Sequence, residues 1–318
     1  MRGLNLDQLR AFADVVELGS FSAAAERLNL TQPAVSQQIR QLELRLRLKL
    51  IERVGRRARP TAAGAELLAH VQRIDSSVAS ALDAMACHAT GALGRVRIGT
   101  GATACIHLLP PMLRELRRRL PSLDIAVSTG NTAHILKLIE DNALDIGLVT
   151  MPARGRNLSV TPVLDDEFVA IASLEAAQLP ARVTPTCLAE RPIVLYEPGA
   201  HTRRIVDQWC ARSGVSLKPV MELGSVEAIK ELVGAGLGYG VLPLMAVADA
   251  RKRGELLVRQ LTPRLYRQLA LVLRRDKRLD RGLREVVAAI TALGTPPPLP
   301  LQPGTAHARR HPGGSKDR

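Results

Sequence analysis

Residues 21–40 read FSAAAERLNLTQPAVSQQIR. The stretch divides into two short helices about a tight turn at Asn29-Leu30. Ser22 is placed to cap the first, Ala23 to Leu28, whose small alanines let another helix approach closely. Thr31 is placed to cap the second, and Pro33 falls in its first turn, where a missing N–H costs nothing. On the second helix Val35, Ile39, Leu42 and Leu46 make one apolar stripe, while Gln32, Ser36, Gln37 and Arg40 point away from it. A helix buried on one side and rich in hydrogen-bonding groups on the other is the layout of a helix-turn-helix whose second helix enters a DNA major groove. An ordinary solvated face is the bland alternative.

The flanks extend this reading. Leu9, Phe12, Ala13 and Val16 recur at helical spacing and predict a helix over Leu6–Leu18, with Asn5 and Gln8 as a capping box and Gly19 as its stop. Downstream, Leu48–Val54 and Arg59–Thr61 are expected to pair as a ribbon around the basic tip Gly55-Arg56-Arg57, which is a wing. Thr61 caps a long helix of about Ala62 to Ala89. Along it Val71, Ile74, Val78 and Met85, with Ala81 and Leu82, approximate a heptad seam. A lone helix cannot bury a seam, so a second copy of the chain is expected against it; packing on its own domain is the alternative.

Gly91–Gly94 reads as a hinge, and beyond it strands and helices alternate. Strands are expected at Val96–Ile98, Ile125–Ser128, Ile146–Val149, Phe168–Ile171, Ile193–Leu195, Val220–Glu222, Gly240–Leu242 and Leu269–Leu273. Helices are expected between them, notably Pro111–Leu120, Ala133–Asp141, Arg203–Ser213, Val226–Ala235 and Arg281–Leu293. Such alternation implies parallel sheets covered by helices. The tail from Thr295 is rich in Pro and Gly, basic, and expected to be disordered.

Composition narrows the function classes. The net charge of +14 favours a polyanionic partner, nucleic acid being the commonest. No apolar run reaches the ~18 residues needed to span a bilayer. Asp7 and Asp14 lie where a secretory signal would be apolar, so a cytoplasmic protein is expected. The four cysteines, Cys87, Cys105, Cys187 and Cys210, have no paired spacing and read as free thiols rather than metal ligands; no cofactor is expected.

Taken in order, these phrases resemble the LysR-type transcriptional regulators from Leu4 to about Leu293. The resemblance is carried by LDQLRAFADVVELGSFSAAAERL, TQPAVSQQIRQLE, LIER followed by PTAAG, GRVRIGTGATACIHLLPPML, ALDIGLVT and GAGLGYGVLP. The first two are the most specific. Two departures concern the helix end and wing: Arg47 stands where the family often has glycine, and Ile51 where it often has phenylalanine. Arg47 is expected to alter the helix end and add a phosphate contact.

The resemblance implies four parts: a winged helix-turn-helix over 1–61, a linker and dimerisation helix over 62–90, an effector-binding α/β domain over 91–294, and the tail 295–318. The α/β domain would resemble type 2 periplasmic binding proteins, with lobe I at about 91–162 and 266–294 and lobe II at about 163–265. By matching position, base contacts fall on Gln32, Pro33, Ser36 and Gln37. Glutamine can pair with adenine edges, arginine suits guanine, and Pro33 offers apolar contact to a thymine methyl. Arg40 suits base or phosphate. The N–H groups at Thr31–Gln32 face a phosphate, and Arg53, Arg56 and Arg57 are placed to grip the backbone. A two-fold dimer wants double-stranded DNA with an inverted-repeat site; the family usually forms tetramers, leaving homodimer against homotetramer open, and RNA polymerase is an expected partner at the promoter.

Residues 98–104, IGTGATA, run strand, turn, helix and also spell GxGxxA. A dinucleotide site would want an acid about 20 residues on, at the end of the next strand. That strand ends Ser128-Thr129-Gly130, and Asp124 lies at its start. An anion cradle from the Thr100 and Thr103 hydroxyls and free helix N–H groups fits better. Family cleft positions fall on Thr100, Gly101, Thr103, Thr129, Asn131, Thr150, His201, Thr202 and Ser225; most carry hydroxyls, which suits a small polar or anionic metabolite. Plain turn and cap chemistry is the alternative for each. Cys105 near His107 lies inside a predicted helix with no oxyanion donor placed, which argues against a thiol nucleophile. Two other classes stay in view: an architectural DNA binder that senses nothing, and an enzyme on a binding-protein-like fold.

Overall fold

The computed structural model describes residues 4–55, 57–90, 93–175 and 179–294. The expectations for Arg56, for the first two hinge residues (91 and 92) and for the tail 295–318 lie outside the described residues.

Three helices open the chain: α1 (Leu6–Leu18), α2 (Phe21–Arg27) and α3 (Gln32–Leu46). Asn5 caps α1 by accepting from the Asp7 N–H at 2.8 Å. The reciprocal half of the expected capping box is absent, because Gln8 is buried and its Nε2 donates to Gln41 on α3 at 2.9 Å. Gly19 closes α1 with φ +65°, a conformation glycine adopts without a Cβ clash. The cap of α2 is Ser20, not Ser22: Ser20 accepts from the Ala23 N–H, which draws Phe21 into the helix and towards the core. Ala24 and Ala25 are buried and let α1 and α3 close on α2.

The wing is β1 (Ile51–Val54) paired antiparallel with β2 (Arg57–Pro60), Ile51 opposite Pro60. Helix α4 (Ala62–Thr90) follows. Its first turn lies tight on the approach to the wing: a Cβ on Gly64 would stand 2.0 Å from the Leu50 carbonyl oxygen. The expected seam of α4 divides. Val71 is 1 % exposed and, with Ile74, packs on the core of α1–α3, whereas Leu82 is 65 % and Met85 60 % exposed. The first half of the seam is therefore spent within the chain. The middle of α4 is clamped, with Arg10 on α1 meeting Asp75 at 3.1 Å and Ser76 donating to the Asn142 carbonyl.

The remainder is a mixed α/β assembly. In chain order it contains β3 (Arg95–Thr100), α5 (Ala102–His107), α6 (Leu109–Arg119), β4 (Asp124–Thr129), α7 (Thr132–Glu140), β5 (Ile146–Thr150) and β6 (Leu158–Ala172). Then come β7 (Arg182–Val183), α8 (Pro185–Ala189), β8 (Ile193–Tyr196), α9 (His201–Ala211), β9 (Pro219–Leu223) and α10 (Val226–Gly234). Last are β10 (Tyr239–Pro243), α11 (Leu244–Arg253), β11 (Leu257–Leu261), β12 (Tyr266–Arg274) and α12 (Arg281–Ala292).

The strands lie in the order β4-β3-β5-β12-β6-β10-β8-β9, with β11 pairing β6 and β7. The all-parallel expectation is corrected. β3 with β4 and β5, and β8 with β9 and β10, are parallel, but β12 is antiparallel to β5 and β6, and β6 to β10 and β11. The long strand β6 makes the sheet mixed. Through Glu167 it pairs with β12, and from Phe168 it pairs with β10. The exchange of partners falls at 167/168, between the strands of the two lobes. Lobe I buries Ile98, Ile146, Leu148, Leu271 and Val286; lobe II buries Phe168, Leu195, Val206 and Trp209. Among the described residues no helix is long and apolar enough to cross a membrane.

Candidate functional site

Two surfaces gather the residues singled out above. The first is the outer face of α3. Thr31 accepts from the Ala34 N–H at 3.4 Å and starts the helix. Val35, Ile39 and Leu42 face the core, which turns Gln32, Pro33, Gln37 and Arg40 to solvent and leaves Ser36 half-buried. Among the described residues no side chain bonds to those of Gln32, Ser36, Gln37 or Arg40. A concavity of about 300 Å³ between α3 and the wing brings Gln32, Ser36, Arg40, Lys49 and Arg53 together. Arg57 is exposed on the wing's other strand.

Sequence reasoning missed the residue that joins these parts. Glu43, 8 % exposed, accepts from Lys49 Nζ at 2.6 Å and from the Leu50 and Ile51 N–H groups at 2.9 and 3.4 Å. Burial alone would raise its carboxyl, but these bonds outweigh it and hold the group below the usual carboxylate range. The wing is thereby hung on the reading helix. The signal was an acid on an otherwise apolar stripe, one position after Leu42. Arg47 ends α3 in the left-handed region, φ 55°, and its N–H returns to the Glu43 carbonyl, so it terminates the helix where a glycine would suit.

The second surface is a cavity of about 570 Å³ between the lobes, a size that suits a small molecule. It opens where parallel strands end and helices begin, the usual place for ligands in open α/β sheets. Lobe I contributes Gly101, Thr103, Thr129, Asn131 and Thr150, and lobe II contributes Glu197, His201, Thr202 and Gly224. Thr100 and Ser225 do not line it. Thr100 is fully buried and donates to the Leu148 carbonyl at 2.8 Å; Ser225 caps α10 by accepting from the Ala228 N–H. Asn131 accepts from the His134 N–H at 2.9 Å, so it caps α7 as well as facing the cavity.

Polar contacts cross between the lobes around the cavity. His201 meets the Met151 carbonyl at 2.7 Å, and His107 on α5 meets Glu227 on α10 at 2.8 Å. The floor holds Tyr196 and Arg267, which sequence reasoning also missed. Arg267 donates from Nε to Asp166 at 2.9 Å; both side chains are buried, and the guanidinium lies over the Phe168 ring. Burial raises the Asp166 carboxyl, against the pull of Arg267 and the Met245 N–H. Burial likewise holds the Tyr196 phenol well above its ordinary range, so it stays a proton donor. Among the described residues no group of three or more metal-binding side chains converges. Buried Cys210 has its thiol pushed up to about 11 by burial and, secondarily, by Asp207, which makes it inert.

Comparison with known proteins matches both parts of the chain. The profile described as the bacterial regulatory helix-turn-helix protein, lysR family, covers residues 6–65, and the LysR substrate binding domain covers residues 89–294. The HTH-type transcriptional activator CmpR of Synechocystis is 30 % identical over 259 residues, 81 % of this chain and 85 % of that protein. The HTH-type transcriptional regulator CbbR of Xanthobacter flavus is 32 % identical over 278 residues, 86 % of this chain and 83 % of that one. A crystal structure of full-length CbnR complexed with target DNA superposes with a TM-score of 0.71 at 18 % identity, over 91 % of this chain and all of that one.

Proposed function

The chain belongs to the LysR family of DNA-binding, effector-modulated transcriptional regulators, and on that premise we propose which of its residues read and which sense. Gln32, Pro33, Ser36 and Gln37 meet base edges, with Arg40 at base or phosphate. Arg53, Arg56 and Arg57 hold the flanking backbone. The reading is carried by one observation: the Gln32, Gln37 and Arg40 side chains are exposed and make no hydrogen bond among the described residues, and the arginine-bearing wing is fixed beside them through Glu43.

Two copies dock through the exposed half of the α4 seam, Leu82 and Met85, and place two reading helices on an inverted repeat. A small polar or anionic metabolite occupies the cleft between the lobes. By favouring one spacing of the lobes it shifts the arrangement of the paired DNA modules and the access of RNA polymerase. The chain does no chemistry of its own and works in the cytoplasm beside its promoter. A gel-shift series on the DNA upstream of its own gene tests the reading. A dimer neutralising about six to ten phosphates loses ~10³–10⁵-fold in affinity between 50 and 200 mM salt. Affinity that stays flat across that range removes the assigned DNA face.

A further inference from the structure

Lobe I carries a second concavity, of about 750 Å³, at the strand ends opposite the cleft. Thr150 at the end of β5 lines the cleft, whereas Leu273, paired with Ile146 at the start of β5, lines this one. It forms where β6 begins and β12 ends, with Leu158 opposite Arg274. Arg154, Arg274, Arg275 and Lys277 line it, and among the described residues no acid does. The backbone there is fixed: the Arg275 N–H donates to the Asn157 carbonyl at 2.8 Å, and its Nε donates to the Leu158 carbonyl at 3.1 Å.

Ion pairs decide how much of this charge is free. On α6, Arg118 and Arg119 share Glu115, and at the end of α11 Arg253 meets Glu255. Around the concavity, Arg274 is matched by Asp276 and Lys277 by Asp145. Arg154 and its flanking neighbours Arg156 and Arg278 are exposed, with no side-chain bond or ion pair among the described residues. Arg275 spends only its Nε, and its two Nη groups stay available. Glu140 is the acid that comes near, its Oε1 2.6 Å from where a Cβ on Gly155 would be. Four guanidinium groups against that carboxylate leave a positive surface, and the guanidinium fork suits phosphate.

The place of the concavity says whose phosphate. Lys277 also donates from Nζ to the Asn142 side chain at 3.4 Å, and the Asn142 carbonyl accepts from Ser76 on α4. The concavity is thus joined to the helix that carries the DNA module. From Ala62 to Ser76 the rise along α4 is roughly 20 Å at ~1.5 Å per residue, less than the ~34 Å of one duplex turn. A small-molecule site encloses its ligand between largely apolar walls, whereas Arg154 and Arg275 stand in solvent. We propose that this face of lobe I is a second DNA contact, which holds phosphates of the duplex flanking the promoter site without reading its sequence. It rests on the chain's DNA binding and not on which α3 residues meet bases.

The test is fluorescence anisotropy of the full-length protein on two duplexes from upstream of its own gene. One is the footprinted segment alone; the other is that segment extended at each end by about two duplex turns, ~20 base pairs, of arbitrary sequence. Binding to the short duplex reports on α3 and the wing, and the difference between the two reports on lobe I. Arg154→Gln, Arg156→Gln and Arg278→Gln are combined, since these side chains make no bond among the described residues and the melting temperature should stay that of the parent. The parent is expected to bind the long duplex ~10-fold tighter, with a salt slope steeper by about two to three at ~0.9 per phosphate. The triple variant should equal the parent on the short duplex and lose both differences on the long one. Arg118→Gln, which removes a paired charge on α6, should keep them. If the triple variant binds the long duplex as the parent does, or Arg118→Gln costs as much, the lobe I contact is overturned while the reading face stands. If inorganic phosphate or pyrophosphate binds the parent but not the triple variant in calorimetry, and the long duplex gains nothing, the site belongs to a free anion and the DNA contact is overturned.

Discussion

On α3, Gln32, Gln37 and Arg40 stand in solvent with no partner among the described residues, whereas in the cleft Asn131, His201 and Arg267 each already hold one. The fold uses the reading face for nothing, so that face is free to match a base sequence. The cleft side chains cap helices, tie strands and bridge lobes as well as facing the cavity. A change on α3 should therefore alter affinity without altering stability, and a change in the α/β domain should do both or only the second.

Four outcomes sharpen or break this contrast. The largest is at the reading face: Gln32→Ala with Gln37→Ala should lower affinity for the cognate promoter roughly 100-fold or more, at ~1–3 kcal/mol for each base pairing lost. Its thermal unfolding should stay within the scatter of the parent. Undiminished promoter preference would end the assignment of that face.

Next comes acid titration. Burial raises the Asp145 carboxyl, but Arg97 and Lys277 outweigh it and hold the group below its ordinary 3.8. A carboxyl depressed in the folded state stabilises above the unfolded value and loses that contribution as pH falls through the folded one. Denaturant unfolding should therefore weaken below about pH 4, by ~1.5–3 kcal/mol for bonds to a charged group. Asp145→Asn should be weaker at pH 7 and flatter across the acid range; an unchanged slope would show that the pair contributes little.

Smaller still is Thr100→Val, expected to cost about 1 kcal/mol through the lost bond to Leu148 while leaving DNA affinity untouched. If effector binding also survives, Thr100 belongs to the sheet alone. The smallest effect is Arg47→Gly, which relieves a left-handed residue of ~1–2 kcal/mol but returns part of it as chain entropy. A rise of a degree or more in melting temperature is expected, and a fall would mean that the Arg47 side chain holds the helix end.

Legibility in the sequence followed the range of the interactions. The bounds of α1 could be read to the residue, because a helical stripe, a cap and Gly19 all lie within one short segment. The first half of β6, SVTPVLDDE, escaped notice because Pro162 and three acids break the strand pattern. Those residues are tolerated there because the strand crosses between lobes, where Asp166 finds Arg267. β11 was hidden by the charges of RKRGELLVRQL, whose strand character comes from pairing with β6. The fold class rested on quoted motifs that are local. The cleft was legible only as family positions, two of which lie outside the cavity lining: Thr100 is buried in the sheet and Ser225 caps α10. Tyr196 and Arg267 had no local signal beyond a charged residue opening the apolar run LALVL, since only tertiary assembly brings them to one floor.

The chain crosses between the lobes in β6 and again in the segment 262–265 that joins β11 to β12, and the two crossings meet where the Phe168 N–H donates to the Leu265 carbonyl at 2.8 Å. Two hydrogen-bonded ribbons resist shear and stretch, but flex readily across their common plane. On the proposed function, an effector in the gap is expected to turn the two halves as a door turns on its pin, along one arc, so that its signal would reach the promoter as an angle rather than as general loosening.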